Sequence, residues 1–562
     1  MKNKSILIIG IIFLLAAGFF VVNRLRRSDL TEEIELRLAD NNRENPISIG
    51  NSQLENSDAV ISFYEDRDYE EVWSNNGKIN DLAEEFLEEI EAVKYDGLNP
   101  QDYNLAQINE FFEEIQNKRR ILKPKSTPEL VDLDLLMTDA FFKLSHDLEV
   151  GKISSQSQDS YWKLEAKEAK ANYNELLQEI ADGEDIQDGL ASLYPKMDMY
   201  TKGREVLKDL YEKHEEDTLT WQQVSFDQSL KVGDVHQSIP GLRERLQFWG
   251  FLDEYETEDE QLFDSTMWEG LKRYQMENGM NPDGAIGDLT TEFLNNSTEK
   301  LIEIASVNME RMRWMPEIEW DKELVLVNIA NYQLDYLTEG DTALTAKVIV
   351  GKEYNESPVF TAPMSYIVFS PYWNIPPSIT NGEIIPSVQK NGNYLSEKNM
   401  EVVSNSGEVV NPKSVSWSGK DGNNFPYRIR QKPGGSNSLG LVKFMFPNDY
   451  NIYIHDTPAR SLFARETRAL SHGCIRIQNP DKFAKILLKD DHWTDEKIHA
   501  AMNQDNEEVV QLDRKVPVLL LYLTFWADEN GEGHFRPDIY NRDAALIKEL
   551  KAGRKTKSVQ KT

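Results

Sequence analysis

Apolar residues recur along this chain at two spacings, and the change from one to the other divides it. In "INDLAEEFLEEIEAVKYDGLNP", Leu82, Phe86, Ile90 and Val93 fall three or four apart, the period of one helix face, ahead of a Gly/Asn/Pro breaker. "ELVDLDLLMTDAFFKLSHDLEVG" and "MYTKGREVLKDLYEKHEE" repeat the pattern, so the spacing predicts a helical domain over residues 59–225. His146 and His214 lie in these helices and read as surface or packing residues. Between 226 and 296, short apolar stripes alternate with glycine turns, which predicts a small three-helix unit; Asp283-Gly284 makes a tight turn and Gly287 permits close approach before the last helix. From about 323 the period drops to two. "ELVLVNIANYQLDYL", "ALTAKVIVGK", "SYIVFSPYWNIPP", "GLVKFMFPNDYNIYIHDTP" and "VPVLLLYLTFWAD" predict strands, within a mostly-β domain over 297–535. Residues 376–428, rich in Asn, Ser, Gly and Lys, interrupt that domain as an inserted cap or lid. Residues 28–58 read as a polar linker and 536–562 as a basic, disordered tail. The fold class expected is multidomain α+β.

The first 27 residues follow neither period. Residues 6–22 carry no charge and no strongly polar side chain, and at about 1.5 Å per residue such a helix nearly spans a hydrocarbon core. This predicts a signal anchor in the inner membrane, with a cleaved signal peptide as the alternative. Arg24, Arg26 and Arg27 after the apolar run sit against the usual charge bias for that orientation. Either way the bulk of the chain is expected outside the cytoplasm, in the cell envelope or periplasm. A net charge of −34 argues against nucleic acid as a partner, since phosphate backbones recruit basic surfaces.

That compartment makes the single cysteine notable. Cys474 sits in "ALSHGCIRIQNP", where it has no second thiol to pair with. One reading is a small buried hydrophobe. The neighbours argue for another. A cysteine nucleophile reacts as thiolate, a histidine within hydrogen-bond reach takes the thiol proton, and His455 precedes Cys474 by nineteen positions. That interval fits a strand, a loop and the start of the next strand, so the two side chains can meet at neighbouring strand ends. Gly473 leaves room for backbone N–H groups to approach a developing oxyanion. Arg476, two residues on, shares a strand face with Cys474 and suits a substrate carboxylate. Zinc held by His455, His472 and Cys474 is a weaker reading, because a structural site needs a fourth ligand and His492, His499 and His534 are scattered.

"HDTP" followed after a loop by "SHGCIRI" resembles the active-site signature of the L,D-transpeptidases, whose YkuD-type catalytic domain is mostly β. "VIVGK", "SPYWNIPPSI", "LGLVKFMFPN" and "IYIHDTP" extend the likeness, and "LKVGD", "LKRYQ" and "NPDGAIGDLT" resemble a peptidoglycan-binding domain. The order of anchor, helical scaffold, peptidoglycan-binding unit and capped catalytic domain is similar to the large periplasmic members of the family. The resemblance implies Cys474 as nucleophile, His455 as its base, the Asp456 backbone carbonyl orienting the imidazole, and His472 and Gly473 shaping an oxyanion turn. It also implies substrate contacts from Ser471, Arg476, Trp373, Tyr453 and Asn374, with Gln431, Asn437 and Lys443 as weaker candidates. The implied reaction is cleavage of the L,D bond of a peptidoglycan tetrapeptide stem, loss of D-Ala through a thioester, and transfer to an amine of a second stem, without metal or organic cofactor. The expected partners are peptidoglycan, the membrane and other cell-wall synthesis enzymes, and carbapenems are expected to acylate the thiol. The alternatives are a carboxypeptidase that uses water as acceptor, or a non-catalytic wall-binding scaffold.

Overall fold

The computed structural model describes all residues except 1–28, 40–46, 51, 122–127, 156–158, 418–424, 490–491 and 553–562. The apolar stretch 6–22 lies outside the described residues, and among those described no helix is long and apolar enough to cross a membrane.

The residues expected as a linker are part of the helical domain. Helix α1 (Asp29–Ala39) buries Leu30, Ile34 and Leu38, and Ile47, Ile49 and Leu54 follow them into the same core. The four-residue spacing of Leu30, Ile34 and Leu38 is masked in sequence by the acidic residues between them. Helix α2 (Asp81–Ala92) starts at Asn80, whose side chain accepts from the Ala83 N–H (3.0 Å), and buries Phe86 and Ile90 as expected. Helix α3 (Pro128–Val150) is buried around most of its circumference and carries Asp134 into the core. There Asp134 accepts from the Val72 and Trp73 N–H groups, both at 3.0 Å, and from the Tyr64 hydroxyl at 2.5 Å. A buried carboxylate persists only when so fully hydrogen-bonded.

The three short helices Ile239–Phe248, Ser265–Glu277 and Asp288–Leu294 form the next unit. Gly284 turns the chain at φ 70° against Trp268, where a Cβ would collide with the indole. Nothing lies within 4 Å of a Cβ built on Gly287, so the close approach expected there is absent.

Nine strands build the third region: β1 (Leu324–Asn328), β2 (Gln333–Thr338), β3 (Asp341–Gly351), β4 (Phe360–Phe369), β5 (Val442–Met445), β6 (Ile454–His455), β7 (Ala469–Ser471), β8 (Ile475–Ile477) and β9 (Glu508–Leu521). They run in the order β7-β3-β8-β6-β5-β4-β9-β1-β2, and pairing of β2 with β3 closes the sheet on itself. Val348, Val350, Ile367, Phe369, Phe444, Ile454, Ile475 and Ile477 are buried in its core. The cap is a small body of its own. Strands Trp373–Asn374, Met400–Val403, Val409–Val410 and Arg428–Gln431 form its sheet over a core of Ile375, Ile384, Val388, Leu395, Val402 and Ile429. It therefore spans 373–431, a few residues beyond the expected 376–428 at each end, because its outer strand pairs Trp373 with Gln431.

Helix α4 (Asp198–Glu215) and helix α5 (Thr298–Arg313) pack together and join the regions. Arg313, fully buried, donates to the Glu310 carboxylate (2.6 Å), the Asp96 carbonyl (2.7 Å) and the Tyr200 hydroxyl (3.0 Å). Arg311, equally buried, pairs at 2.6 Å with Asp543 of helix α6 (Asp543–Lys551). The expected disordered tail is thus ordered through Lys551, with Tyr540, Leu546 and Leu550 in the core. Its surface lysines hide an apolar face of only one or two turns. Replacing Asp543 by Ala leaves the Arg311 guanidinium buried without its anion, so a loss of about 3–5 kcal/mol is expected. The measurement is a fall in the urea midpoint, which the double variant Arg311→Met, Asp543→Leu should largely restore.

Candidate active site

Cys474 and His455 reach one surface through sheet register. Strands β6 and β8 run parallel, with Ile454 opposite Ile475 and His455 opposite Arg476. Alternation then sends the two isoleucines into the core and places His455 and Arg476 on the outer face, with Tyr453 and Cys474 one repeat earlier on that face. On the far side of β6, Lys443 of β5 stands directly opposite His455.

The turn carrying the thiol is clamped from below. The Gly473 N–H donates to Ser471 Oγ (3.0 Å), and that hydroxyl donates to the Cys474 carbonyl (2.6 Å). Ser471 is 2% exposed, with its hydroxyl spent within the turn, so it is a support and not the open substrate contact expected. Gly473 adopts φ 114°, a conformation that L side chains rarely enter, and its carbonyl accepts from Ser357 Oγ (2.7 Å). Ser357 Oγ in turn accepts from the Gly351 N–H (3.0 Å), and the Tyr540 hydroxyl donates to the Gly351 carbonyl (2.6 Å). Ser357 and Tyr540 carry no motif, and only the folded chain brings them beneath the cysteine. The expected pair of oxyanion donors is reduced, because the Gly473 N–H is already used; the Cys474 N–H makes no hydrogen bond among the described residues.

His455 is buried, and its Nδ1–H donates to the Asp456 carbonyl at 2.5 Å. A carbonyl only accepts, so Nε2 is left as the basic nitrogen. The Asp456 carboxylate accepts from the Leu441 N–H (2.9 Å) and packs on Gly440, where a Cβ would strike it. No hydrogen bond joins the thiol to the imidazole; Cys474 Sγ donates instead to the Asn451 carbonyl at 3.6 Å. Burial pushes the Cys474 thiol up to about 11, against hydrogen bonds from Tyr453 and the charge of Arg476. Burial, then the Arg476 charge and also that of Lys443, hold His455 down to about 3 despite the carbonyls of Asp456 and Leu439. Sulfur and ring are both neutral here. The thiol does not stand as a thiolate, because desolvation outweighs the single positive neighbour.

The cap meets the cysteine turn through a polar contact. His472 Nε2 lies 3.1 Å from Glu383 Oε1, in the cap turn Thr380–Ile384. Glu383 stands apart from every signature residue in sequence and gives no signal there. Trp373 and Asn374 lie in the cap strand, the indole packed on the cap core and Asn374 exposed, not on the face that holds Cys474. Gln431 and Asn437 tie the cap's return: Gln431 donates to the Lys398 and Ser436 carbonyls, and Asn437, fully buried, to those of Pro371 and Lys432. Tyr453 remains beside the sulfur, its ring 5.7 Å from that of His455. His455, His472 and Cys474 form no cluster of metal-ligand atoms; among the described residues Asp528, Glu532 and His534 do, on the hairpin of Phe525–Ala527 and Gly533–Phe535.

Three families match the chain in order. Residues 58–207 match the "Scaffold domain", 236–294 the "Putative peptidoglycan binding domain" and 322–499 the "L,D-transpeptidase catalytic domain" of YkuD type. A curated protein of Haemophilus influenzae named "Putative L,D-transpeptidase" is 39% identical over 258 residues, 46% of this chain and 51% of that protein. The chain thus spans about half the length of the curated relative it matches. A solved L,D-transpeptidase of Xylanimonas cellulosilytica aligns at 12% identity over 53% of this chain and 100% of its own, with a TM-score of 0.16. One of Stackebrandtia nassauensis aligns at 13% over 52% and 94%, with a TM-score of 0.20; neither score bears an argument. The segment that holds His455 and Cys474 thus matches the YkuD-type L,D-transpeptidase catalytic domain, with matches to a scaffold domain and a peptidoglycan-binding domain ahead of it.

Proposed function

We propose that the chain is a peptidoglycan transpeptidase of the cell envelope in which Cys474 is the nucleophile and His455 its base. The observation that carries this is the placement of both residues on one outer sheet face beneath the cap, inside the segment matched to the catalytic domain. Sγ swings from the Asn451 carbonyl toward Nε2 of His455, gives up its proton and attacks the carbonyl of the L-residue that precedes the terminal D-residue. The new C–S bond forms while the Cys474 N–H supports the oxygen. The C–N bond then breaks, His455 returns the proton to the leaving D-Ala nitrogen, and a thioester remains. An amine of a second stem attacks that thioester, loses its proton to His455 and regenerates the thiol. The Asp456 carbonyl holds the ring in its tautomer throughout, and the Tyr453 ring shields the thioester from water. The peptidoglycan-binding unit supplies substrate proximity.

Because thiol and imidazole are both neutral, the reactive pair exists across the interval between about 3 and about 11. Turnover should then be nearly flat over roughly pH 6–9, where neither group titrates. Direct alkylation needs the free thiolate and behaves oppositely. The rate with iodoacetamide should climb about tenfold per pH unit well past the ordinary cysteine value of about 8.5. A plateau below pH 8 in the mass-spectrometric alkylation curve would contradict the neutral thiol.

Purified protein with disaccharide-tetrapeptide should release D-Ala and form cross-linked dimers, visible by mass spectrometry. Cys474→Ala should abolish both while leaving sedimentation with peptidoglycan sacculi intact. Tripeptide without dimer would assign water as the acceptor, and unchanged turnover in the variant would remove Cys474 from the reaction. A carbapenem should add its full mass to the wild-type protein and leave Cys474→Ala unmodified in intact-mass spectra.

A further inference from the structure

The outer sheet face holds two cations that no hydrogen-bonded or ion-paired anion meets among the described residues. Register lines up one row across four strands: Val368 of β4, Lys443 of β5, His455 of β6 and Arg476 of β8. Side chains directly opposite on neighbouring strands share a face and lie about 5 Å apart at Cβ. The imidazole therefore stands between an ammonium and a guanidinium. Neither Lys443 nor Arg476 makes a hydrogen bond or ion pair among the described residues, and Arg476 Nε is buried without a partner. Glu507 acts on Lys443 only through space, its own carboxylate accepting from the Tyr372 N–H at 3.3 Å. A half-buried cation is costly unless an anion meets it, and two side by side around a base ask what that anion is.

Resting on the transpeptidase reading above, we infer that Lys443 and Arg476 form a two-cation clamp for the free carboxylate of the leaving D-residue, with Lys443 as a specificity-determining residue. The chemistry of the leaving group locates the anion. The nitrogen that receives the His455 proton bears its α-carboxylate one carbon away, so a residue seated for protonation holds that carboxylate beside the imidazole's two neighbours. A donor whose next position is an amide, as in a pentapeptide stem or a C-terminally amidated tetrapeptide, places no charge there and leaves both cations unpaired. The clamp thus selects stems that end one residue past the scissile bond. Burial draws the Lys443 ammonium below its ordinary value, the state expected of a cation waiting for its counter-ion.

Binding tests this apart from catalysis. Calorimetry with the Cys474→Ala chain should show the tetrapeptide acid binding about 10–100-fold tighter than its C-terminal amide, the range of charge-assisted hydrogen bonds. Adding Lys443→Met should bring the acid to within about threefold of the amide, whereas Lys443→Arg should keep most of the preference. Equal binding of acid and amide to Cys474→Ala, including no binding of either, overturns the clamp, as does full preference in the Lys443→Met background. Wild-type turnover is read separately. Acid preference without turnover leaves the clamp standing and removes the transpeptidase reading, and turnover without preference does the reverse. Loss of binding in Lys443→Met with none regained in Lys443→Arg overturns the specificity role in favour of a structural one.

Discussion

The site depends on two backbone pairings, Ile454 with Ile475 and His455 with Arg476, where two very short strands run parallel. Parallel neighbours need a crossover, and the loop from 456 to 474 supplies it. A slip of one residue would turn His455 inward and bring an isoleucine out, so the apolar side chains at 454, 475 and 477 hold the chemistry in place. Hydrophobic burial thus sets the register, register sets the face, and the face decides which polar side chains become neighbours. The turn before Cys474 is held by a relay of hydroxyls, Ser471, Ser357 and Tyr540, each using its hydrogen bonds on backbone groups.

The electrostatics follow from the same geometry. Only one face of β6 is available to polar groups, so thiol, imidazole, ammonium and guanidinium share a partly dry surface. Desolvation then dominates every proton equilibrium there. It keeps sulfur and ring uncharged at rest. That is a different design from a resting thiolate–imidazolium pair, which needs more stabilisation of the anion than one arginine provides here.

Much of this was legible in the sequence. The helix period around Phe86 and Ile90, the alternation around 324–337 and the signature through His455 and Cys474 all carry their own physical signal. What stayed hidden did so for identifiable reasons. Helix α1 buries one residue per turn among acidic neighbours, too thin a stripe to stand out. Helix α6 looks like a basic tail until Asp543 finds Arg311, a partner 232 positions away. Ser357, Glu383 and Tyr540 act through contacts that no local pattern encodes. Trp373 reads as a substrate contact because it lies in a matching motif, yet strand pairing assigns it to the cap sheet.

The placement of Tyr540 has a consequence for how the protein comes into being. Ribosomes deliver the chain from its amino end, and the hydroxyl that braces the Gly351 carbonyl beneath the cysteine turn emerges only after Cys474 itself. Nascent chains carrying Cys474 but still missing residues 536–552 have a loop without its brace. Bracing of the cysteine turn therefore waits on residues downstream of it, and a product terminated near residue 530 would carry every signature residue while lacking the support that shapes them.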